Sequence, residues 1–189
     1  MQTLVLATLL TIVLASSAHG QRLIPPADRH PTPVVDVPQI AGPTSYQAPG
    51  TGGRLRSPDF RGKVLIVDFW SPGCVPCGPI HEDLTRLAPA WADSGVVVLS
   101  LGLAQDSVSA RRWLTEHGGA PFPVGLLSHD LLAAMDVASL PHLILVGADG
   151  RTAFDGHPHA MASFLPRVLP PLLAEREGRP PPRDPNRLN

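Results

Sequence analysis

Apolar positions along this chain alternate between unbroken runs and helically spaced ones. Val64 to Trp70 and Val96 to Leu103 are almost wholly apolar and of strand length, which predicts two strands buried on both faces. Between them Ile80, Leu84, Leu87 and Trp91 recur at helical spacing, so the stretch predicts a βαβ unit. Asp106 or Ser107 can cap a second helix that buries Ala110, Trp113 and Leu114. A short strand around Phe122 to Leu127 and a short helix around Asp130 to Met135 follow. His142 to Val146 and Thr152 to Phe154 flank Asp149-Gly150, a strong turn signal, and predict an antiparallel hairpin. Met161, Phe164, Leu165, Val168, Leu169 and Leu172 close the series as an amphipathic helix, with Pro166 and Pro170 leaving its limits open.

This order of elements belongs to one α/β domain of ordinary size, about 51–174. The flanks differ in composition. Residues 21–50 carry prolines at 25, 26, 31, 33, 38, 43 and 49 and few apolar side chains, which predicts an extended linker ending at most in an edge strand. Residues 175–189 are rich in Pro and Arg with almost nothing to bury, so a disordered tail is expected there. At the other end, Leu4 to Ala15 has the length of a signal-peptide core, too short to span a bilayer, and Ala18-His19-Gly20 offers small residues for cleavage. Residues 1–20 are therefore expected to direct secretion. No Lys or Arg precedes the apolar run, so an uncleaved anchor tethering the N-terminus to a membrane is the alternative.

Charge narrows the range of partners. Formal net charge is -1, from 16 acidic and 15 basic residues without a basic block, which gives no footprint for nucleic acid. Lys63 is the one lysine, a bias with no functional weight.

The chemistry concentrates in the two cysteines, which stand at Cys74-Val75-Pro76-Cys77 directly after the first apolar run. A redox pair needs one sulfur open to exchange and a second within reach to release the mixed disulfide. At the first turn of a helix, free N–H groups and the positive end of the dipole favour a thiolate on the first cysteine. Cys74 is then the nucleophile and Cys77 the resolving thiol. A structural disulfide closing so short a loop would constrain little. A zinc site needs more ligands than the pair supplies, and His81, followed by Glu82 and Asp83, reads as part of a solvated face. Ser71, three residues before Cys74, raises a peroxidatic reading whose remaining pattern is missing. No metal and no cofactor beyond the redox-active disulfide Cys74–Cys77 is expected. Asp68 is out of place in an apolar run. An ionised carboxylate there is costly, so its pKa is expected to rise into a range suited to accepting the Cys77 proton; local capping or pairing is the alternative.

Val-Asp-Phe-Trp-Ser-Pro-Gly-Cys-Val-Pro-Cys at 67–77, Ser-Leu-Pro-His at 139–142 and the Asp149-Gly150 hairpin together resemble the thioredoxin-like superfamily over about 51–174. Ser57-Pro58-Asp59-Phe60-Arg61-Gly62-Lys63 before the first apolar run, and the extra helix and strand at about 107–127, are similar to its secreted TlpA/ResA/CcmG branch. The resemblance implies a central mixed sheet flanked by helices, with a helix-strand insertion after the first βαβ unit. It implies that Pro141 is a cis-proline beside the dithiol, with Leu140 offering its backbone to an extended substrate; an ordinary trans proline at a strand start is the alternative. Trp70 and Gly73 complete the expected substrate contacts. Asp68 matches the family's buried acid.

Three departures stand out. Gly73 replaces the tryptophan usual before the first cysteine, Glu82 occupies the place of the usual helix proline, and Ile80 replaces a glutamate common in the branch. His142 is placed either to tune Cys74 or to face solvent, and His157-Pro158-His159 either to bind a metal or to be solvated. The resemblance implies an extracytoplasmic thiol-disulfide oxidoreductase. It would reduce client proteins with thiols or disulfides, as in cytochrome c or metal-site maturation, and be recharged by a membrane dithiol donor. A disulfide-donating oxidase and a non-catalytic peptide-binding module are the other two readings.

Overall fold

The computed structural model describes residues 22–46, 52–91 and 93–179. The expected signal segment and most of the expected tail lie outside these residues. Seven strands form one sheet: β1 (Asp36–Ala41), β2 (Arg54–Arg56), β3 (Val64–Trp70), β4 (Val96–Gly102), β5 (Val124–Leu126), β6 (His142–Val146) and β7 (Thr152–Gly156), in the order β2-β1-β5-β4-β3-β6-β7. The helices are α1 (Cys77–Leu87), α2 (Ser107–Glu116), α3 (His129–Ala134) and α4 (Met161–Arg176). β3 pairs parallel with β4, as a crossover through α1 requires, and antiparallel with β6. β4 pairs parallel with β5, while β6 and β7 form the antiparallel hairpin. The fold is thioredoxin-like.

Strand parity sorts the core into two layers. Val64, Ile66 and Trp70 of β3, with Val96 and Val98 of β4, face a cluster built with Leu84, Trp113, Phe164, Leu165 and Leu169. Leu65, Val67 and Phe69, with Val97, Leu99 and Leu101, face the opposite cluster with Val35, Val37, Phe60 and Met135. Asp68 shares the parity of Ile66 and Trp70, so its carboxylate enters the layer beneath α1. In α4 the prolines 166 and 170 stand on the exposed side, while Met161, Phe164, Leu165, Val168, Leu169 and Leu172 are buried. The carbonyls that these prolines leave unpaired, at Ala162 and Pro166, belong to that same exposed side.

The proline-rich segment read as a linker is part of the folded body. Ile24 N–H donates to the Ala153 carbonyl at 2.7 Å and Thr32 N–H to Gly150 at 3.1 Å, laying the segment along the β7 edge. It then crosses to the other side of the sheet, where β1 lies between β2 and β5 and is no edge strand. Val35 and Val37 supply the burial, and Pro38 is tolerated because β1 needs only a few ladder bonds. α4 also continues past Leu173 to Arg176, because Glu175 is held by Arg29 Nη1 at 2.6 Å. Among the described residues, no helix is long and apolar enough to cross a membrane.

Candidate functional site

β3 ends at Trp70 and hands the chain to two successive turns. Cys74 N–H donates to the Ser71 carbonyl and Cys77 N–H to the Cys74 carbonyl, each at 3.0 Å. The α-helix proper begins at Cys77, not near Cys74 as the motif suggested, and Pro79 falls in its first turn, where a missing N–H costs nothing. Cys74 and Cys77 are joined in a disulfide, Sγ–Sγ 2.04 Å. Their exposures differ in a useful sense: Cys74 is half-buried beside Val75, which is 88% exposed, whereas Cys77 is 1% exposed. A partner can reach the first residue of the pair and not the second.

Behind the pair lies a buried polar group of four side chains. Trp70 Nε1–H donates to Ser100 Oγ at 2.8 Å, and Ser100 in turn donates to Asp68 Oδ2 at 3.0 Å. Burial pushes the Asp68 carboxyl up to about 7, against which the Ser100 bond works in the other direction. His81 Nδ1 stands 4.0 Å from Asp68 Oδ2, and His81 Nε2 lies 2.8 Å from the Gly119 carbonyl. His81 is therefore not on a solvated face. Its ring is buried with its flanks against Trp113 and Phe122, at centroid distances of 5.1 and 5.4 Å, and burial lowers its pKa.

The expected substrate contacts separate. Trp70 is buried and stacked on Trp113 at 4.1 Å, and its indole N–H donates to the Ser100 hydroxyl that in turn bonds Asp68. Its place in the inward parity of β3 is the reason. Gly73 is exposed, and a Cβ there would meet nothing within 4 Å. The Leu140–Pro141 peptide is cis. Because Phe69 pairs with His142, Pro141 sits at the end of the sheet where β3 releases the cysteine loop. Leu140 and Cys74 pack on the same apolar cluster. His142 Nε2–H donates to Asp155 Oδ1 at 2.5 Å, so this histidine is held by a carboxylate on the neighbouring strand. His157 and His159 stack on each other, ring centroids 4.1 Å apart. Among the described residues, no group of three or more His, Cys, Asp or Glu is arranged to hold a metal ion.

Ser100, Trp113 and His81 were not singled out for the site from the sequence. For His81 a signal existed, since Cys77, His81 and Leu84 share one helical face. For Ser100 the signal was its hydroxyl inside an apolar strand, at the parity that faces Asp68 across the parallel ladder.

Residues 62–152 match the family model described as Thioredoxin-like. The match agrees with the fold: these residues are similar to thioredoxin-like domains. It is 26% identical over 183 residues to the thiol:disulfide interchange protein CycY of Rhizobium leguminosarum bv. viciae, covering 93% of this chain and 96% of that one. It is 29% identical over 100 residues to the thiol-disulfide oxidoreductase ResA of Geobacillus kaustophilus, covering 52% of this chain and 57% of ResA. Among solved structures, a secreted thiol-disulfide isomerase from Corynebacterium glutamicum superposes with a TM-score of 0.67 at 18% identity, over 84% of this chain and 94% of that one. A thiol:disulfide interchange protein of the thioredoxin family from Chlorobium tepidum TLS gives 0.63 at 17%, over 77% and 97%. The structural likeness carries the fold, and the named sequence relatives support an oxidoreductase role.

Proposed function

We propose that this protein exchanges thiols and disulfides with client proteins outside the cytoplasm, working as a reductant. The observation that carries this reading is the asymmetric disulfide, with Cys74 within reach of a partner, Cys77 withheld from it, and a buried acid of raised pKa below. In the reducing direction, the Cys74 thiolate attacks a client disulfide and Cys77 resolves the mixed disulfide. An extended client strand would lie beside Leu140 and cis-Pro141, where the edge of the loop is open to backbone pairing. In an oxidising compartment the pair has to be kept reduced, so a membrane dithiol donor is the partner this direction requires. Clients of the kind handled in cytochrome c or metal-site maturation fit the branch the motifs resemble.

The test is the equilibrium of Cys74/Cys77 in the full chain against glutathione. A potential near that of thioredoxin, about -270 mV, is expected for the reductant; one near about -120 mV, as for DsbA, would make the protein an oxidase instead. Cys74→Ser should abolish exchange, and Cys77→Ser should accumulate the mixed disulfide. An active Cys74→Ser variant would overturn the assignment.

A further inference from the structure

His81 is held in a way that no packing requirement explains. A carbonyl oxygen only accepts, so the 2.8 Å contact with Gly119 places the ring proton on Nε2. In the neutral ring Nδ1 then carries the lone pair, and this buried nitrogen has no hydrogen-bond partner. It is aimed at Asp68 Oδ2, 4.0 Å away. Trp113 and Phe122 flank the ring edge-to-face and Trp70 lies 6.1 Å from it, so Nδ1 has no route to solvent. Cys77 stands one turn earlier on the same helix and is equally buried. His81 thus shares a helix face with the resolving cysteine and stands 4.0 Å from the buried acid. An unpaired buried acceptor of this kind costs stability until a proton reaches it.

We propose that His81 and Asp68 act as one proton-holding pair behind Cys77, with His81 Nδ1 as the second seat for the proton that the Cys77 thiol gives up. This rests on the exchange reading above. After Cys74 attacks a client disulfide, one client sulfur is bonded to Cys74 and the other has left as a thiolate that takes a proton from water. The Cys77 S–H then yields its proton to the pair. The Cys77 thiolate attacks Cys74 Sγ, the Cys74–Cys77 bond forms, and the bond from Cys74 to the client breaks with its electron pair on the client sulfur. The client disulfide has gained two electrons and the dithiol has lost two. The stored proton leaves with the departing thiolate.

The charges facing His81 set how readily the seat fills. Burial opposes the imidazolium and His117, after α2, adds to that, whereas the Gly119 carbonyl and Glu82 on its own helix favour it; the Asp68 carboxyl from β3 faces Nδ1 at 4.0 Å. A carboxylate and an imidazole share a proton more readily here than either group would ionise alone in the same apolar layer. His81 is a positioning and proton-holding residue, and a role in packing alone would leave pH profiles unchanged.

Two measurements on the full chain test this. In the oxidised protein with isotope-labelled histidine, the His81 Nδ1 resonance should move with pH in step with the Asp68 carboxyl carbon, and Asp68→Asn should shift the His81 midpoint to lower pH. An unshifted midpoint, or a His81 that follows no titration of Asp68, overturns the pair. In single-turnover reduction of glutathione disulfide, His81→Gln keeps a donor for Gly119 but has no titrating nitrogen. It should slow the resolving phase at least about tenfold and remove an inflection from its pH profile. Attack by Cys74, followed in a Cys77→Ser background, should keep its rate. Equal slowing of both phases, or of neither, overturns the proposal. A wild-type protein that exchanges with no disulfide would sink the exchange reading alone, because the histidine titration still decides the pair.

Discussion

Ser100 Oγ donates to Asp68 Oδ2 at 3.0 Å while accepting the Trp70 indole N–H at 2.8 Å, which makes one hydroxyl serve two buried groups. Ser100→Ala should therefore act twice. The indole N–H loses its partner inside the core, at a cost of about 1–3 kcal/mol. The carboxylate loses the bond that favours its charged form, so Asp68 should titrate above its present value of about 7. Urea unfolding and a carboxyl-carbon titration measure the two effects separately. A fall in the Asp68 pKa would refute the assigned direction of the hydrogen bond.

Asp68 also gives folding stability a pH dependence of unusual sign. Its ordinary value of 3.8 becomes about 7 in the folded protein, so between those values the folded state keeps a proton that the unfolded chain has released. Stability therefore declines as pH rises through that window, by about 4 kcal/mol from this group, and stays reduced above it. Asp68→Asn should be more stable than wild type at about pH 8 and nearly equal to it at about pH 4. Denaturant unfolding of the oxidised proteins at the two pH values checks this. The same difference at both would mean that Asp68 is ionised throughout.

The parts of this molecule legible in its sequence are those whose pattern is local. β3 and β4 are almost wholly apolar runs, the β6–β7 hairpin has its Asp149-Gly150 turn, and the cysteine pair sits where β3 meets α1. β1 reads as no more than an edge strand because one of its two partners, β5, lies far along the chain, and its buried contributions are isolated valines among prolines. His81 escaped for a related reason. Glu82 and Asp83 suggest a wet helix face, but the groups that enclose His81, Gly119, Trp113 and Phe122, arrive from the insertion after β4. Burial of a polar residue depends on what is brought over it, and spacing along one helix does not encode that.

The N-terminal segment is clamped by one ion pair. Arg29 is buried, donates to Glu175 through both Nη atoms at 2.6 and 3.2 Å, and bonds the Ile24 carbonyl through Nε at 3.0 Å. Glu175→Gln leaves a buried guanidinium without its counter-charge. Removing one partner of a fully buried pair costs roughly 3–5 kcal/mol, and the part-exposed carboxylate here should bring the loss to about 2 kcal/mol. Hydrogen exchange should then show faster opening at Ile24 and Thr32, whose N–H groups bond the β7 hairpin. Unchanged exchange at these two amides would show that the strand contacts hold the segment without the ion pair.

Gly73 leaves open the surface beside the reactive cysteine, and filling it is a direct test of recognition there. A Cβ at this position would meet no atom within 4 Å, and the neighbouring Val75 already projects into solvent. Gly73→Trp should change unfolding free energy by less than about 0.5 kcal/mol, since nothing has to move. The new indole would stand next to Cys74 and offer an aromatic face to apolar side chains flanking a client disulfide. Contacts of this type are worth about 0.5–1.5 kcal/mol, so attack on a peptide disulfide with apolar flanks should quicken roughly two- to tenfold. Attack on glutathione disulfide, which lacks such flanks, should stay within about twofold of wild type. The ratio of the two second-order rate constants is the quantity to measure, because it cancels any change in Cys74 itself. A ratio equal to that of wild type would place client recognition elsewhere, on the Leu140–Pro141 side of the loop.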